Sequence, residues 1–213
     1  MAGEMATGDT RQAVRKGRKF DQVLEGARAI FLRDGFDGAS VDDIARAAGV
    51  SKATLYSYVP DKRLLFMEVA KAECRRQADE AEALIDDEAP AAEVLRLAAT
   101  RILDFMLSDF GQRVFRICVA ESDRFPGLGH EFYHSGPLLI RDRIAEFLRK
   151  AIARGELQID DVNLAAEQFQ QLCKADLHER MMFGMADCCT PPDRKRVIDA
   201  AVQMFMARYQ TPK

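Results

Sequence analysis

Tryptophan is absent from this sequence, and turn-forming residues are scarce. Its 213 residues include only 13 glycines and 7 prolines, and no sustained alternation of β-branched and polar residues is visible. Between the few glycines and prolines lie long stretches rich in alanine, leucine, arginine and glutamate. The scarcity of turns and of strand-like alternation argues against a β-rich fold and predicts an all-α protein of about nine helices.

Cysteines are few and irregularly placed. There are five of them, an odd number without regular spacing, which excludes a framework of disulfide bonds and indicates a reducing compartment. No stretch approaches the roughly 18 apolar residues that a membrane span needs. The amino-terminal segment also lacks the apolar core of a signal peptide, so we expect a cytoplasmic protein without a membrane partner.

Residue patterns that carry enzyme chemistry are also missing. The sequence contains no glycine-rich phosphate loop and no nucleophile elbow. His130 and His134 lie four residues apart, but glycines and a proline surround them and no third metal ligand follows at a recognised spacing. Cys188 and Cys189 are adjacent, so they form neither a redox motif nor a zinc knuckle, although a role as a thiol sensor stays open. We therefore expect no enzyme, no catalytic residue, no metal and no cofactor.

Charge is nearly balanced overall but unevenly distributed. The formal net charge is -3, yet five basic residues and no acid occur between residues 11 and 19, whereas seven acids and no base occur between residues 79 and 93. We define residues 1–18 as a basic flexible arm. This arm is either a solvated tail or a segment that reaches the phosphates or the minor groove of DNA.

One segment in the amino-terminal third has the pattern of a helix-turn-helix. Ser40 precedes a run with helical apolar periodicity, and an aspartate three residues later completes an acidic version of a capping box. Gly49 tolerates the positive φ of a sharp turn, and Ser51 is placed to cap a second, short helix. Lys62 follows that helix and begins a long one. Two short helices joined by such a turn indicate a DNA-binding unit.

A series of short motifs runs through this segment and its flanks. They are Gly35-Phe36, Ser40, Ile44-Ala45, Ala48-Gly49-Val50, Thr54-Leu55-Tyr56 and Lys62. In this order they resemble the DNA-binding domain of the TetR (tetracycline repressor) family of bacterial transcription regulators, over roughly residues 20–66. The resemblance implies a DNA-binding domain over residues 19–64. In it we expect Thr54 and Lys62 to contact phosphates and Lys52, Tyr56 and Tyr58 to lie nearer to base edges. The predicted DNA contacts are Ser40, Ser51, Lys52, Ala53, Thr54, Tyr56, Ser57, Tyr58 and Lys62.

For residues 65–213 the resemblance implies a larger helical domain that binds a small molecule and forms a homodimer. In that family a ligand between the central helices moves the long fourth helix, which here runs from Lys62 to about residue 86. Apolar side chains and two histidines are the predicted cavity lining: Phe105, Met106, Phe110, Phe115, Cys118, Phe132, His134, Phe169, Leu172, His178 and Met182. Ordinary core packing is the alternative for each of them.

The last two helices are the dimer helices of that family, and here they are predicted over residues 161–184 and 191–209. The last one has an apolar stripe wide enough for two partners, although a stripe that packs only inside one chain stays the alternative. The predicted dimer contacts are Phe169, Leu177, Val197, Ile198, Ala201, Val202, Phe205 and Tyr209. A loop is predicted at residues 125–129, where one proline and two glycines cluster.

These patterns together predict a ligand-responsive repressor. As a homodimer it would place two recognition helices about one DNA turn apart on a palindromic operator in double-stranded DNA. Binding of a small, largely apolar molecule would release it. A ligand-binding or interaction protein on the same scaffold without DNA affinity is the alternative, and a catalytic helical protein ranks third.

Overall fold

The computed structural model describes residues 17–86, 88–123, 126–185 and 189–212. Within them the chain is helical apart from turns, short connections and one isolated bridge between Leu157 and Gln210. Eleven helices are described: α1 (Arg18–Gly38), α2 (Val41–Ala47), α3 (Lys52–Tyr58), α4 (Lys62–Glu82), α5 (Ala91–Leu107), α6 (Asp109–Glu121), α7 (Pro126–Ser135), α8 (Pro137–Ala153), α9 (Val162–Leu172), α10 (Leu177–Met182) and α11 (Pro191–Tyr209). The all-α prediction is confirmed. Residues 1–16 of the predicted basic arm lie outside the described part of the chain.

Two helices were not predicted as such. The segment predicted as a loop at residues 125–129 instead begins α7 at Pro126, a residue that is favourable at the first helical position because its missing N–H needs no partner there. The single helix predicted over residues 161–184 is broken between α9 and α10, where Asp176 adopts a φ of 68°. Arg196 of α11 donates to the Asp176 carboxylate at 3.0 Å, so a tertiary ion pair lies at this break.

The helix-turn-helix forms as its local sequence predicts. The Ser40 hydroxyl accepts a hydrogen bond from the backbone N–H of Asp43 at 3.0 Å, and the Ser51 hydroxyl accepts one from Thr54 at 3.0 Å. Gly49 has a φ of 64° and makes the turn between α2 and α3. These side-chain caps satisfy N–H groups that a helix start leaves without partners, so the ends of both short helices are set by residues beside them.

The first apolar core lies where the amino-terminal helices meet α4 and α6. Phe31 of α1 contacts Phe66 of α4 edge to face, with ring centroids 4.9 Å apart, and Phe66 contacts Phe110 of α6 at 5.2 Å. Buried residues of α1, α2, α3, α4 and α6 belong to this one cluster. Burying each large apolar side chain contributes roughly 1.5–3 kcal/mol. This core extends across residue 64, the predicted boundary between the two domains. Helix α4 therefore cannot tilt without affecting the packing of α1.

A second core joins α5, α8, α9 and α11 in the larger, carboxyl-terminal part of the chain. The rings of Phe169 and Phe205 meet edge to face at 5.2 Å between α9 and α11. A cavity lies between α4 and this core. No helix of the described residues is both long and apolar enough to cross a membrane.

Candidate DNA interface and ligand cavity

The predicted DNA contacts lie around one face of the helix-turn-helix. Seven of them surround α3 and the turn before it, and most of these are exposed: Ser51, Lys52, Ala53, Tyr56 and Ser57 are exposed, while Thr54 and Tyr58 are half-buried. Ser40 is exposed at the start of α2. Leu55 is buried and attaches the helix to the core. Helix α3 therefore presents a hydroxyl, phenol and ammonium surface of the kind that suits phosphates and base edges.

Tyr58 has a second role inside the domain. Its ring centroid lies 6.0 Å from that of Phe20 on α1, and the side chain packs against the first core. Only part of the phenol is therefore open to a partner, so Tyr56, which is 43% exposed, is the better placed tyrosine for base contacts.

Acidic residues of α2 neutralise part of this surface. Lys52 Nζ lies 3.0 Å from Asp42 Oδ1, and this hydrogen-bonded contact raises the pKa of Lys52. Arg46 pairs with Asp43 at 2.6 Å on the same helix. Between residues 17 and 64 there are eight cations and seven carboxylates, so the described amino-terminal helices carry little net positive charge. Phosphate binding by Lys52 requires its ammonium group to leave Asp42.

Lys62 was predicted to contact phosphate, but the structure gives its ammonium group an internal partner. Lys62 Nζ donates to the carbonyl oxygen of Ala39 at 2.8 Å and lies 4.6 Å from the centroid of the Phe36 ring. These contacts tie the start of α4 to the link between α1 and α2. Because an ammonium group has three donors, the remaining two stay compatible with a phosphate contact, but the side chain also holds the domain together.

A cavity of about 250 Å³ lies between α4, α5 and α8. Its walls are mostly small and branched apolar side chains, and Phe105 is the one predicted ligand residue among the lining residues of the described chain. Cys74 also lines it, and burial raises the pKa of this thiol to about 12, so at neutral pH it acts as an apolar wall. The polar and charged lining residues are Gln77, Glu82, Arg101, Arg143, Glu146 and Lys150.

The other ten predicted ligand residues lie elsewhere. Three of them belong to or pack on the first core, namely Phe110, Cys118 and Phe132. Three belong to or pack on the second core, namely Met106, Phe169 and Leu172. Four are exposed or half-buried on α6, α7 and α10, namely Phe115, His134, His178 and Met182.

The difference between the predicted lining and the lining of this cavity has a physical reason. Large apolar side chains fill space, whereas a cavity remains where small side chains face one another. Ala78 and Ala81 on α4 and Ala98 on α5 are the small residues at this cavity. The sequence signal that could have located this cavity is the pair of alanines at helical spacing on α4, Ala78 and Ala81, next to Gln77.

The predicted dimer residues are used mainly inside the chain. Six of them are buried in the single subunit: Phe169, Leu177, Val197, Ala201, Val202 and Phe205. Ile198 and Tyr209 are half-buried, and the Tyr209 hydroxyl donates to Gln168 at 3.2 Å. The predicted apolar stripe therefore faces the interior of its own chain. Apolar periodicity identifies a face that is buried, but not whether the same chain or a partner covers it.

The neighbouring face of α9 and α11 is open. Its exposed residues follow one another at helical spacing and are short, apolar or uncharged: Leu164, Gln168 and Gln171 on α9, Ala175 in the turn after it, and Ala200, Gln203, Met204 and Ala207 on α11. Met204 is 60% exposed. We call these eight residues the α9/α11 face.

The remaining histidine and cysteine patterns form no larger cluster. His130 Nε2 and His134 Nε2 are 3.2 Å apart on α7, and the described residues contain no group of three metal-ligating side chains. Cys189 is half-buried with its sulfur 3.9 Å from the carbonyl oxygen of Leu177, whereas Cys188 lies outside the described residues.

Two protein-family models match this chain, one in its amino-terminal part and one in its carboxyl-terminal part. The family model described as "Bacterial regulatory proteins, tetR family" matches residues 23–69, and the one described as "AefR-like transcriptional repressor, C-terminal domain" matches residues 93–211. A TetR-family transcriptional regulator from Mesorhizobium loti has a similar structure, with a TM-score of 0.78 and 29% identity over 91% of this chain and 98% of that one. The structure named Flavonoid-responsive Regulator FrrA is 35% identical, with a TM-score of 0.66 over 93% of this chain and 100% of that one.

One curated relative matches over a shorter stretch. The HTH-type transcriptional repressor AcnR from Corynebacterium efficiens is 34% identical over 58 residues, or 27% of this chain. The match spans 31% of that repressor, about a third of its length.

Proposed function

The chain belongs to the TetR family of bacterial transcription regulators, and from this premise we propose that it is a repressor that binds a palindromic operator as a homodimer and is released by a small, largely apolar molecule. In this proposal residues 19–64 are the DNA-binding domain, residues 65–213 the ligand-binding and dimerisation domain, and residues 1–18 a basic arm. The protein acts in the cytoplasm, where chromosomal DNA is.

The recognition helix carries the proposal. Helix α3 is capped at its start by the Ser51 hydroxyl, and it exposes Lys52, Tyr56 and Ser57 while the buried Leu55 attaches it to the core. The described amino-terminal helices are nearly neutral, so the basic arm supplies the charge that one short helix lacks.

The α9/α11 face is the proposed dimer surface. Alanine and glutamine side chains let two helices approach closely, and Met204 with Leu164 supplies apolar area at its centre. Pairing this face with the same face of a second subunit is isologous, which is the symmetry that a palindromic operator requires. The proposal therefore moves dimerisation from the buried stripe to its exposed neighbour.

The cavity between α4, α5 and α8 is the proposed effector site. Its volume of about 250 Å³ is close to the lower end of the range of about 300–1,000 Å³ usual for ligand pockets, which favours a compact molecule. The relative named as a flavonoid-responsive regulator is 35% identical over nearly the whole chain. A planar apolar ligand with a few hydroxyl groups is therefore the first class to test here.

A salt-dependent binding measurement tests the function. Fluorescence anisotropy with duplex DNA from upstream of the coding region is compared with shuffled DNA of the same composition, at about 50 and 200 mM salt. Tyr56→Ala is expected to reduce the preference for the upstream DNA by about tenfold, since a base contact of this kind contributes roughly 1–3 kcal/mol. Tyr133→Ala, which removes a 50% exposed tyrosine of α7, is the matched control and is expected to change nothing.

The outcomes separate two functions. Equal and weak affinity for both DNAs at every salt concentration would favour the alternative, a ligand-binding protein on the same scaffold without DNA affinity. The near-neutral charge of the described amino-terminal helices favours this alternative, because DNA binding needs positive charge on the contact surface.

A further inference from the structure

A carboxylate is buried on α4, one helical turn from a cavity residue. Only 3% of Glu73 is exposed, and its oxygens accept hydrogen bonds from Arg28 Nε at 2.8 Å and from Gln77 Nε2 at 3.0 Å. Arg76 of the same helix donates to both oxygens. Burial alone would raise the pKa of Glu73, but these hydrogen bonds outweigh burial and hold the pKa at about 2. Glu73 is therefore a buried charge whose position depends on its donors.

The first donor lies in the amino-terminal domain. Arg28 is on α1, two residues after Gly26. A Cβ built on Gly26 would lie only 2.5 Å from the backbone nitrogen of Ala48, so α1 touches the turn before the recognition helix with no room for a side chain. Because the two backbones are in direct contact, a shift of α1 displaces that turn.

The second donor lines the cavity. Gln77 borders the cavity next to Cys74 and Ala78. Its amide gives one N–H to Glu73, which leaves the second N–H and the carbonyl oxygen available to a ligand. Three side chains thus lead from the cavity to α1.

Among the described residues, two other ion pairs join the amino-terminal helices to the larger domain, and both have their partner on α6. Arg63 pairs with Glu121 at 2.7 Å. Asp37 pairs with Arg113 at 2.8 Å. Helix α6, described over its full length, contributes no residue to the cavity lining. These pairs hold the domains together without contacting a bound molecule.

We propose that Gln77, Glu73 and Arg28 form the route by which an occupied cavity repositions the recognition helix, an inference that rests on the proposed function. A ligand that hydrogen-bonds the Gln77 amide, or pushes it aside, removes one of the donors that position Glu73. The buried carboxylate then turns towards Arg76, and Arg28 no longer holds α1 against α4. Glu73 is a positioning residue in this route, since it contacts neither ligand nor DNA.

A double-mutant cycle tests the route without a known effector. Ala98→Trp places an indole in the cavity as a built-in occupant, and Gln77→Leu removes the amide while keeping a similar volume. Affinity for the upstream DNA is measured for wild type, each single variant and the double variant. We expect Ala98→Trp to weaken binding by roughly tenfold in the wild-type background, within the 5- to 150-fold range usual for allosteric coupling, and by less than about twofold in the Gln77→Leu background. Ala81→Phe, which fills the cavity from α4, replaces Ala98→Trp if that variant does not fold.

A DNA-free measurement and a matched control complete the test. Hydrogen exchange of the α1 amides around Arg28 is expected to rise in the filled protein, to rise to a similar extent in Gln77→Leu alone, because that variant also lacks the donor to Glu73, and to rise no further in the double variant. If wild type binds no DNA, the proposed function fails, but this measurement still decides the route. Gln158→Leu makes the same chemical change at an exposed position away from the cavity and is expected to leave both readouts unchanged. Equal loss of affinity in both backgrounds, or no effect of cavity filling on either readout, would overturn the proposed route.

Discussion

Replacing Glu73 by glutamine is expected to lower stability in a pH-dependent way. The amide keeps the shape of the side chain but removes the charge that Arg28 and Arg76 face. The ordinary pKa of 4.5 falls to about 2 in the folded chain, and this difference corresponds to roughly 3 kcal/mol of folding free energy at pH 7. Both arginines are partly exposed and can regain water, so we expect the loss not to exceed this amount.

The direction of the pH dependence follows from the lowered pKa. The stabilisation by Glu73 is fully present above pH 4.5 and is lost as the pH falls towards 2. At about pH 3 it has dropped to roughly 1.5 kcal/mol. Other carboxylates titrate in the same range, but they do so in wild type and variant alike and cancel in the difference between them.

Urea unfolding followed by circular dichroism, at one protein concentration and from about pH 7 to about pH 3, measures this difference. Glu80→Gln is the control, because Glu80 lies on the same helix and also accepts from Arg76 but is exposed. It is expected to cost at most about 1 kcal/mol. A gap between wild type and Glu73→Gln that stayed constant with pH would refute the reasoning, since the cost would then come from packing and not from the buried charge.

Three further predictions concern the DNA surface, the helix contact and the dimer. Asp42→Asn is expected to raise DNA affinity about threefold in a gel shift, because it frees Lys52 from its ion pair, and an unchanged affinity would contradict this. Gly26→Ala is expected to lower the free energy of unfolding by about 1–3 kcal/mol in a urea titration, whereas Gly127→Ala, with open space around it, is not. Met204→Glu is expected to convert a dimer into monomers in size-exclusion chromatography with light scattering, and a persistent dimer would show that the α9/α11 face is not the interface.

Local features were predictable because their causes lie within a few residues of one another. Ser40 and Ser51 cap the two short helices by bonding N–H groups three residues ahead, and Gly49 makes the turn between them by its own φ. Local patterns did not predict the helix break at Asp176, where the contacts include an arginine twenty residues later in the chain. They also predicted a loop where α7 begins, because a proline signals a helix start as well as a loop.

The positions of the cavity and of the open face of α9 and α11 depend on how the helices pack, which hydrophobic periodicity does not specify. Apolar spacing correctly placed Phe169 on the buried stripe of α9 and Phe205 on that of α11, but it did not tell whether each stripe faces its own chain or a partner. In the same way, it could not tell a side chain that fills space from one that borders empty space, so Phe105 alone of the predicted lining residues reached the cavity.

The sequence by itself determined the helical class, the helix-turn-helix and its caps, and through its motifs the resemblance to the TetR family. The tertiary structure decided where the cavity lies, which face of α9 and α11 stays open, and that Glu73 joins Arg28 to Gln77. The division has one physical reason. Caps and turns are made by neighbours in the chain, whereas a cavity, an open face and a buried ion pair exist only once distant helices are packed together.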